Sequence, residues 1–352
     1  MSFKHLRLNC RILQFGWDMI ETIYIESEIR SHPRTESILS RFSKARIVEC
    51  ERYGEVFNPK KQNFRLQKMK PALIIARKHR NFILDAPEGF GIGGRKNYYF
   101  SHMLNCIYDC RYCFLQGMYR SANYVLFVNY EDFQNEIIKI IEQNPDNKKI
   151  TFFSGYDCDS LALESITRFV REFLPFFQKY ENAVLELRTK SINVSELLNH
   201  EVIPNCVVAY SFTPENISQK LEHGVPPIAR RIQTMKKLVE KGWQVGIRLD
   251  PLIYHEGYQK YYSKLIQDIF HAIPVESIHS VSTGPMRFPE KMFHTIKQLY
   301  PDEPLFAGPL ENRNGLTSYS ERIETEMMNY CNTILENHLP KNKLFSCLQS
   351  SF

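Results

Sequence analysis

The chain has 352 residues, 43% of them hydrophobic and 24% charged, with a formal net charge of +6. That length holds one large domain plus an appendage, and no stretch approaches the roughly 18 apolar residues of a membrane-spanning helix. Nine cysteines, an odd number, argue against a disulfide scaffold and for a reducing compartment. Basic charge is concentrated early. Phe57 to Arg80 contains Lys60, Lys61, Arg65, Lys68, Lys70, Arg77, Lys78 and Arg80 and no acid. Such a run suits a polyanion, because neutralised phosphates release counterions; an ordinary solvated face is the alternative.

In chain order, residues 1–18 read as a weakly ordered extension. They lack the apolar core and small-residue cleavage site of a signal peptide, which gives a cytoplasmic expectation. Residues 19–95 read as a basic N-terminal α/β region with a linker. It opens on a strand-like run after Met19. A short helix at 33–43 carries Ile38, Leu39 and Phe42 on one side, and strands are predicted at 45–50 and 71–77. Residues 85–95 hold one proline and four glycines and read as the linker.

From residue 97 the pattern becomes regular. Strands are predicted at 97–103, 149–155, 183–190, 206–213, 243–250 and 277–283. The helices between them repeat apolar residues at spacings of three and four: Phe133, Ile137, Ile140 and Ile141; Leu163, Ile166, Val170 and Phe173; Ile228, Ile232, Met235 and Val239; Leu265, Ile269 and Ile273; Met292, Ile296 and Leu299. Six strand–helix units predict an α/β fold, an incomplete (β/α)6 TIM-type barrel over 96–300. Its active residues belong at the C-terminal ends of the strands. Residues 301–352 read as a C-terminal helical appendage, with one helix near 320–339.

The first barrel strand leads into Cys106-Ile-Tyr-Asp-Cys110-Arg-Tyr-Cys113. The spacing C-x3-C-x2-C lets one loop wrap a 4Fe-4S cluster with thiolates. Three ligands leave one iron open, and an open iron can chelate the methionine end of S-adenosyl-L-methionine. This is the signature of radical S-adenosylmethionine enzymes. The alternative, a zinc knuckle, wants a fourth ligand from a second short pair, and no such pair is near.

Other positions end barrel strands. Asp159 and Ser160 are N-cap candidates for the next helix. Cys158 reads either as a hydrogen-atom donor on a loop facing the radical centre or as a half-buried small residue. Tyr112, between two cluster ligands, packs on the adenosylmethionine or takes part in radical transfer. Lys190 ends the third strand, Ser211 lies on the fourth, His255 and Glu256 follow the fifth, and Arg287 follows the sixth. Each is also explained as the start of a surface loop.

The chain resembles the spore photoproduct lyase family. The likeness runs from about Ile23 to the C-terminal helix. It is carried by the cysteine motif with its trailing Phe-Leu-Gln-Gly, the Tyr124–Asp132 segment, Cys158-Asp-Ser, Arg188-Thr-Lys190, Tyr210-Ser211-Phe212, Pro251–Gly257 and Arg287-Phe288. The resemblance implies that Cys106, Cys110 and Cys113 bind the cluster. It places Tyr112, Ser160, Lys190 and Ser211 around adenosylmethionine and makes Cys158 the donor that quenches the substrate radical. It implies a lyase that cleaves 5-thyminyl-5,6-dihydrothymine in DNA to two thymines through a 5′-deoxyadenosyl radical, fed electrons by a flavodoxin or ferredoxin. A lesion must leave the duplex stack to reach a barrel mouth. Two departures stand out. Phe114 follows the third cysteine where the family has a tyrosine. The family's basic, tyrosine-rich C-terminal segment reads Glu311-Asn-Arg-Asn here, with Arg313 its one base. His255, Glu256, Arg287 and Arg313 are the substrate-contact candidates.

Two further readings remain in view. One is a family relative acting on another nucleic-acid or small-molecule substrate. The other is a cluster-bearing nucleic-acid-binding protein without catalysis.

Overall fold

A computed structural model describes residues 20–94, 96–145 and 148–347; the extension read at 1–18 lies outside them. The chain divides into two compact units. The smaller comprises residues up to Lys78 together with Met103–Asn105 and Tyr119–Asn129. Its five-stranded sheet runs in the order Arg46–Cys50, Thr22–Glu26, Leu73–Ala76, Tyr124–Phe127, Met103–Leu104. The first four strands are parallel and the last is antiparallel. Leu73, Ile74, Ile75 and Ala76 are fully buried, as expected of a central strand covered on both faces.

Local chemistry explains the ends of these elements. Pro33 opens the helix Pro33–Leu39, and the His32 ring nitrogen accepts from the Arg34 amide at 3.1 Å. Asn63 Oδ1 caps Phe64–Met69 by accepting from Leu66 N at 3.1 Å. At the end of Thr22–Glu26, the buried Glu26 carboxylate accepts from Tyr53 N at 2.7 Å and Arg77 N at 2.8 Å. Lys60, Lys61, Arg65 and Lys70 of the basic run are exposed, and Lys70 pairs with Glu21 at 3.0 Å.

The larger unit contains the barrel. All six predicted strands form, as Lys96–Phe100, Ile150–Ser154, Ala183–Thr189, Cys206–Ser211, Gln244–Leu252 and Ile278–Pro285. They pair in sequence order and in parallel, giving the expected incomplete barrel. Two further strands join the barrel sheet beyond the predicted six. Leu84–Asp85 adds to one edge antiparallel to Lys96–Phe100, at the start of the stretch read as a linker. Leu344–Ser346 adds to the other edge, parallel to Ile278–Pro285. The C-terminal region is therefore not only a helical appendage: its end returns into the barrel sheet. The helix Glu321–Glu336 forms there, with Ser320 as N-cap. The expected boundaries at 95/96 and 300/301 do not coincide with the two units. Residues 79–94 and 301–347 belong with the barrel, whereas Met103–Asn105 and Tyr119–Asn129 belong with the small sheet.

Between the first two barrel strands and their helices sits an aromatic core. Phe100 stacks on Phe173 at 5.5 Å, Phe169 lies 4.4 Å from Phe173, and Tyr130 meets Phe173 edge-on at 5.5 Å. Each such pair adds about 0.5–1.5 kcal/mol beyond area burial. The His102 ring stacks on Phe169 at 4.0 Å with both nitrogens buried and unbonded among the described residues. Burial holds its imidazole down at about 3. The unfolded chain takes up this proton below about 6.5, so stability falls as pH drops from about 6.5 toward 3. His102→Phe is expected to remove roughly 2 kcal/mol of the stability lost between about pH 7 and pH 5, measured by denaturant unfolding at the two pH values.

Candidate active site

The cysteine loop is pinned from below. Asp109–Cys110 forms a two-residue antiparallel ladder with Glu222–His223, and Arg111 N donates to Leu221 O at 2.9 Å. Cys113 N donates to Cys110 O at 3.1 Å, which folds the second half of the motif into a turn. Donors meet two of the sulfurs: Tyr108 N lies 3.4 Å from Cys106 Sγ, and Lys190 Nζ lies 3.7 Å from Cys110 Sγ. Nearby donors stabilise thiolates, the form in which cysteine binds iron.

Beneath the loop lies a buried polar network. Glu222 and Arg231 form an ion pair with both side chains fully buried. Ser218 Oγ donates to Glu222 at 2.7 Å, Tyr112 OH also donates to Glu222, and Lys190 Nζ stands 3.6 Å from the same carboxylate. Arg231 spends its remaining donors on Ser211 O at 3.0 Å and Pro226 O at 2.8 Å. Burial pushes the Glu222 carboxyl up, but Arg231 and Lys190 outweigh it and hold the group at about 2. Burial lowers Lys190, yet Cys110, Tyr112 and Glu222 more than offset this and keep its ammonium charged. That ammonium lies 4.9 Å from the centre of the Tyr112 ring. Burial, then Glu222, drive the Tyr112 phenol well above its ordinary range. Tyr112 is thus a protonated, oriented side chain.

One cavity of about 420 Å³ opens above this network. Cys106, Cys110, Cys113, Tyr112, Cys158, Lys190, Ser211 and Arg287 all line it. Eight of the predicted site residues are therefore together, although they come from every barrel strand end but the fifth. The other four are elsewhere. Ser160 is buried with its hydroxyl 2.8 Å from Ser154 Oγ, and Ser154 is the one that lines the cavity. His255 bonds to Asn216 at 3.1 Å and Ile253 O at 3.2 Å outside the lining. Glu256 is exposed. Arg313 sits on the hairpin Leu310–Arg313 and Leu316–Tyr319, paired with Glu324 at 2.7 Å and Glu311 at 3.1 Å. Asp159 is not the N-cap of the next helix, Glu164–Thr167, which starts after Leu163; it closes the turn before it. Its Oδ1 accepts from Leu161 N and Ala162 N, and its Oδ2 from Lys190 N.

Several wall residues escaped the sequence reading. The supposed linker supplies Ala86, Pro87, Phe90, Gly91 and Ile92. Tyr156 packs 4.4 Å from Tyr99 and 5.5 Å from Phe114, and all three face the cavity. Gly155 at φ +83° permits that loop, since a Cβ there would come within 2.5 Å of Ser160 Oγ. Asp250, Ser282 and Cys347 complete the far end. Arg231 had a legible signal: it falls on the buried stripe Ile228, Thr234, Met235, Leu238 of the helix Ile228–Lys241, a charge where the period demands an apolar group. The stripe read from sequence, with Ile232 and Val239, was rotated from this one.

A partial parallel barrel with three cysteines on the loop after its first strand, above an enclosed cavity, defines a radical S-adenosylmethionine enzyme. The chain belongs to the spore photoproduct lyase family, whose model matches residues 19–343. Spore photoproduct lyase of Bacillus subtilis (strain 168) is 23% identical over 290 residues, covering 80% of this chain and 82% of the relative. That of Geobacillus sp. (strain Y412MC61) is 21% identical over 288 residues, covering 79% and 82%. Among solved structures, a spore photoproduct lyase double mutant with bound AdoMet and dinucleoside spore photoproduct superposes with a TM-score of 0.80. It is 18% identical and covers 94% of this chain and 99% of that one. No helix among the described residues is long and apolar enough to cross a membrane.

Proposed function

We propose that this protein is a radical S-adenosylmethionine lyase that repairs the spore photoproduct in DNA, converting 5-thyminyl-5,6-dihydrothymine to two thymines. The observation that supports it is the convergence of the three loop cysteines and Cys158 on one cavity of about 420 Å³. That volume suits a nucleoside-sized cofactor and part of a base. The donor set fits the cofactors: three sulfurs on one loop for three irons of a 4Fe-4S cluster, and Tyr112, Lys190 and Ser211 around S-adenosyl-L-methionine. When bound, the pair supplies a carbon radical able to take hydrogen from the lesion.

The protein's own residues do the rest. Glu222 and Arg231 hold the loop from below, and the Lys190 ammonium stands beside Cys110. Phe90, Phe114, Tyr156 and Pro251 wall off water, so that a carbon radical meets few competing hydrogen sources. Cys158 breaks its S–H bond and forms a C–H bond on the product radical. Ser160 acts through Ser154, fixing the strand end next to that thiol. Arg287 contacts the lesion; His255, Glu256 and Arg313 contact the flanking DNA, and the exposed basic residues of the small unit hold its backbone. The protein works in the cytoplasm with flavodoxin or ferredoxin as the electron source.

The experiment is an anaerobic incubation of reconstituted protein, adenosylmethionine and reductant with a lesion-bearing oligonucleotide, following lesion and 5′-deoxyadenosine by mass spectrometry. Repair requires lesion loss with thymine gain. 5′-Deoxyadenosine without lesion loss favours the second reading, a relative with another substrate, for which Phe114 and the polar cavity end at Arg188 and Asp250 speak. Cys158→Ala is expected to keep lesion consumption and to lose clean thymine recovery. Unchanged recovery sinks the donor assignment.

A further inference from the structure

At the ends of the fifth and sixth barrel strands, three polar groups face the cavity without protein partners. Ser282 Oγ is buried and unbonded among the described residues. Arg287 Nη2 is buried and unbonded likewise, and its guanidinium lies over the Phe90 ring, 5.0 Å away. The Asp250 carboxylate lines the same wall with no hydrogen bond or ion pair to a described residue. The strands place two of them together: Leu249 pairs with Thr283 and Leu252 with Pro285 across an irregularity in the register, so Asp250 lies across from Gly284, two residues beyond Ser282. Gly284 is required there, because a Cβ would meet Asp250 Oδ1 at 2.8 Å and the Cys347 backbone oxygen at 2.9 Å. Arg287 opens the next strand, Arg287–Pro289, which pairs with Leu316–Tyr319 in a separate sheet, and its side chain lines the same cavity. Cys347 closes the wall behind them; burial, then Asp250, push its thiol up to about 12, so it stays neutral. Arg188, within electrostatic reach of Asp250, is committed through Nε to Glu186 at 3.1 Å.

Ser282 Oγ and Arg287 Nη2 are buried and unsatisfied, which is costly, and the half-buried Asp250 carboxylate faces the same cavity, so the set implies a ligand that satisfies it. The set offers two donors and one anionic acceptor. A phosphate or carboxylate would gain from Arg287 but face repulsion from Asp250. A neutral edge with two acceptors flanking one donor satisfies all three groups. We propose that Arg287, Asp250 and Ser282 form a base-reading subsite for the imide edge of a pyrimidine: Arg287 and Ser282 donate to the two ring carbonyls, and Asp250 accepts from the N3–H. Thymine, uracil and their 5,6-saturated forms carry this edge. Cytosine does not, since it presents an amino donor in place of one carbonyl. The assignment rests on the lyase reading for the identity of the ligand and deepens it by naming the edge that is read.

The test uses full-length reconstituted protein with adenosylmethionine, under argon, in equilibrium dialysis. The probes are the dinucleoside lesion and its N3-methylated form. N3-methylation is expected to weaken binding to the native protein about tenfold or more. Asp250→Asn keeps the side-chain volume and is expected to weaken the unmethylated lesion about tenfold, shrinking the methylation penalty. Arg287→Met is expected to weaken both probes and leave their ratio large. Unfolding midpoints control for folding. The proposal is overturned if Asp250→Asn binds the unmethylated lesion as tightly as the native protein does, or if N3-methylation costs the native protein nothing. If the native protein binds no lesion, the lyase reading fails by itself. The same variants are then measured with thymidine and N3-methylthymidine at millimolar concentration. The same pattern upholds the subsite for another imide-bearing ligand, and equal binding of both nucleosides overturns it.

Discussion

Cys110→Ala is expected to lower 5′-deoxyadenosine formation to background and to leave the purified protein without iron–sulfur absorbance. Of the three proposed ligands, Cys110 is the most tightly built into the fold: it lies in the ladder with Glu222, has Lys190 Nζ at 3.7 Å, and is buried. Removing one of three thiolates leaves two, too few to hold a cubane with one iron open for adenosylmethionine. The loss is therefore expected to be complete. Iron and sulfide content, read beside the unfolding midpoint, checks it. A variant that keeps its iron and cleaves adenosylmethionine would show that Cys110 is not a ligand and would return the motif to a structural role.

Glu222→Gln is expected to produce the largest stability loss of any single change in the barrel unit, about 3–5 kcal/mol, because it leaves Arg231 charged and fully buried without a counterion. The pH dependence carries the same signature. Glu222 is held at about 2 against an ordinary value of 4.5, so its contribution is fully present above about 4.5 and is lost as pH falls toward 2. Glu222→Gln is expected to flatten that acid limb. The double change Glu222→Leu with Arg231→Met should recover much of the loss, since a buried pair replaced by apolar groups is often near neutral. Tyr112 and Lys190 lose their common anionic partner in Glu222→Gln and lose the acceptor altogether in Glu222→Leu, so cofactor affinity is expected to fall in the double variant even where stability is restored. Urea unfolding across pH, with adenosylmethionine binding measured in parallel, separates the two effects. Equal affinity in the double variant would mean that the network only supports the loop.

Much of the site was legible because its signals are local. Three cysteines within eight residues can reach one cluster whatever the rest of the chain does. The ends of parallel strands collect on one side of a barrel, and that rule by itself places Cys158, Lys190, Ser211 and Arg287 with the cysteines. The same rule failed for His255. It lies five residues beyond Asp250, far enough past the strand end for the loop to turn its ring onto Asn216. Ser160 differs in another way: its hydroxyl meets Ser154 Oγ at 2.8 Å, and Ser154 takes the cavity-facing position.

The barrel strands, the helices between them and the cluster loop are legible in the chain itself, because each is written in the spacing of neighbouring residues and the geometry of a single element. Which distant segments meet is settled by folding alone. Tyr124–Phe127 joins Leu73–Ala76 in the small sheet, though it follows the cysteine loop in the chain. Leu344–Ser346 returns to the barrel edge and carries Cys347 into the cavity wall. Glu222 looks like any surface acid, and Arg231 on its helix stripe names no partner, until folding buries the two together. Parallel pairing joins strands across long crossovers, and a charge in a sequence carries no mark of the group it will meet. Both are fixed by the sum of many weak, long-range contacts, which no local pattern records.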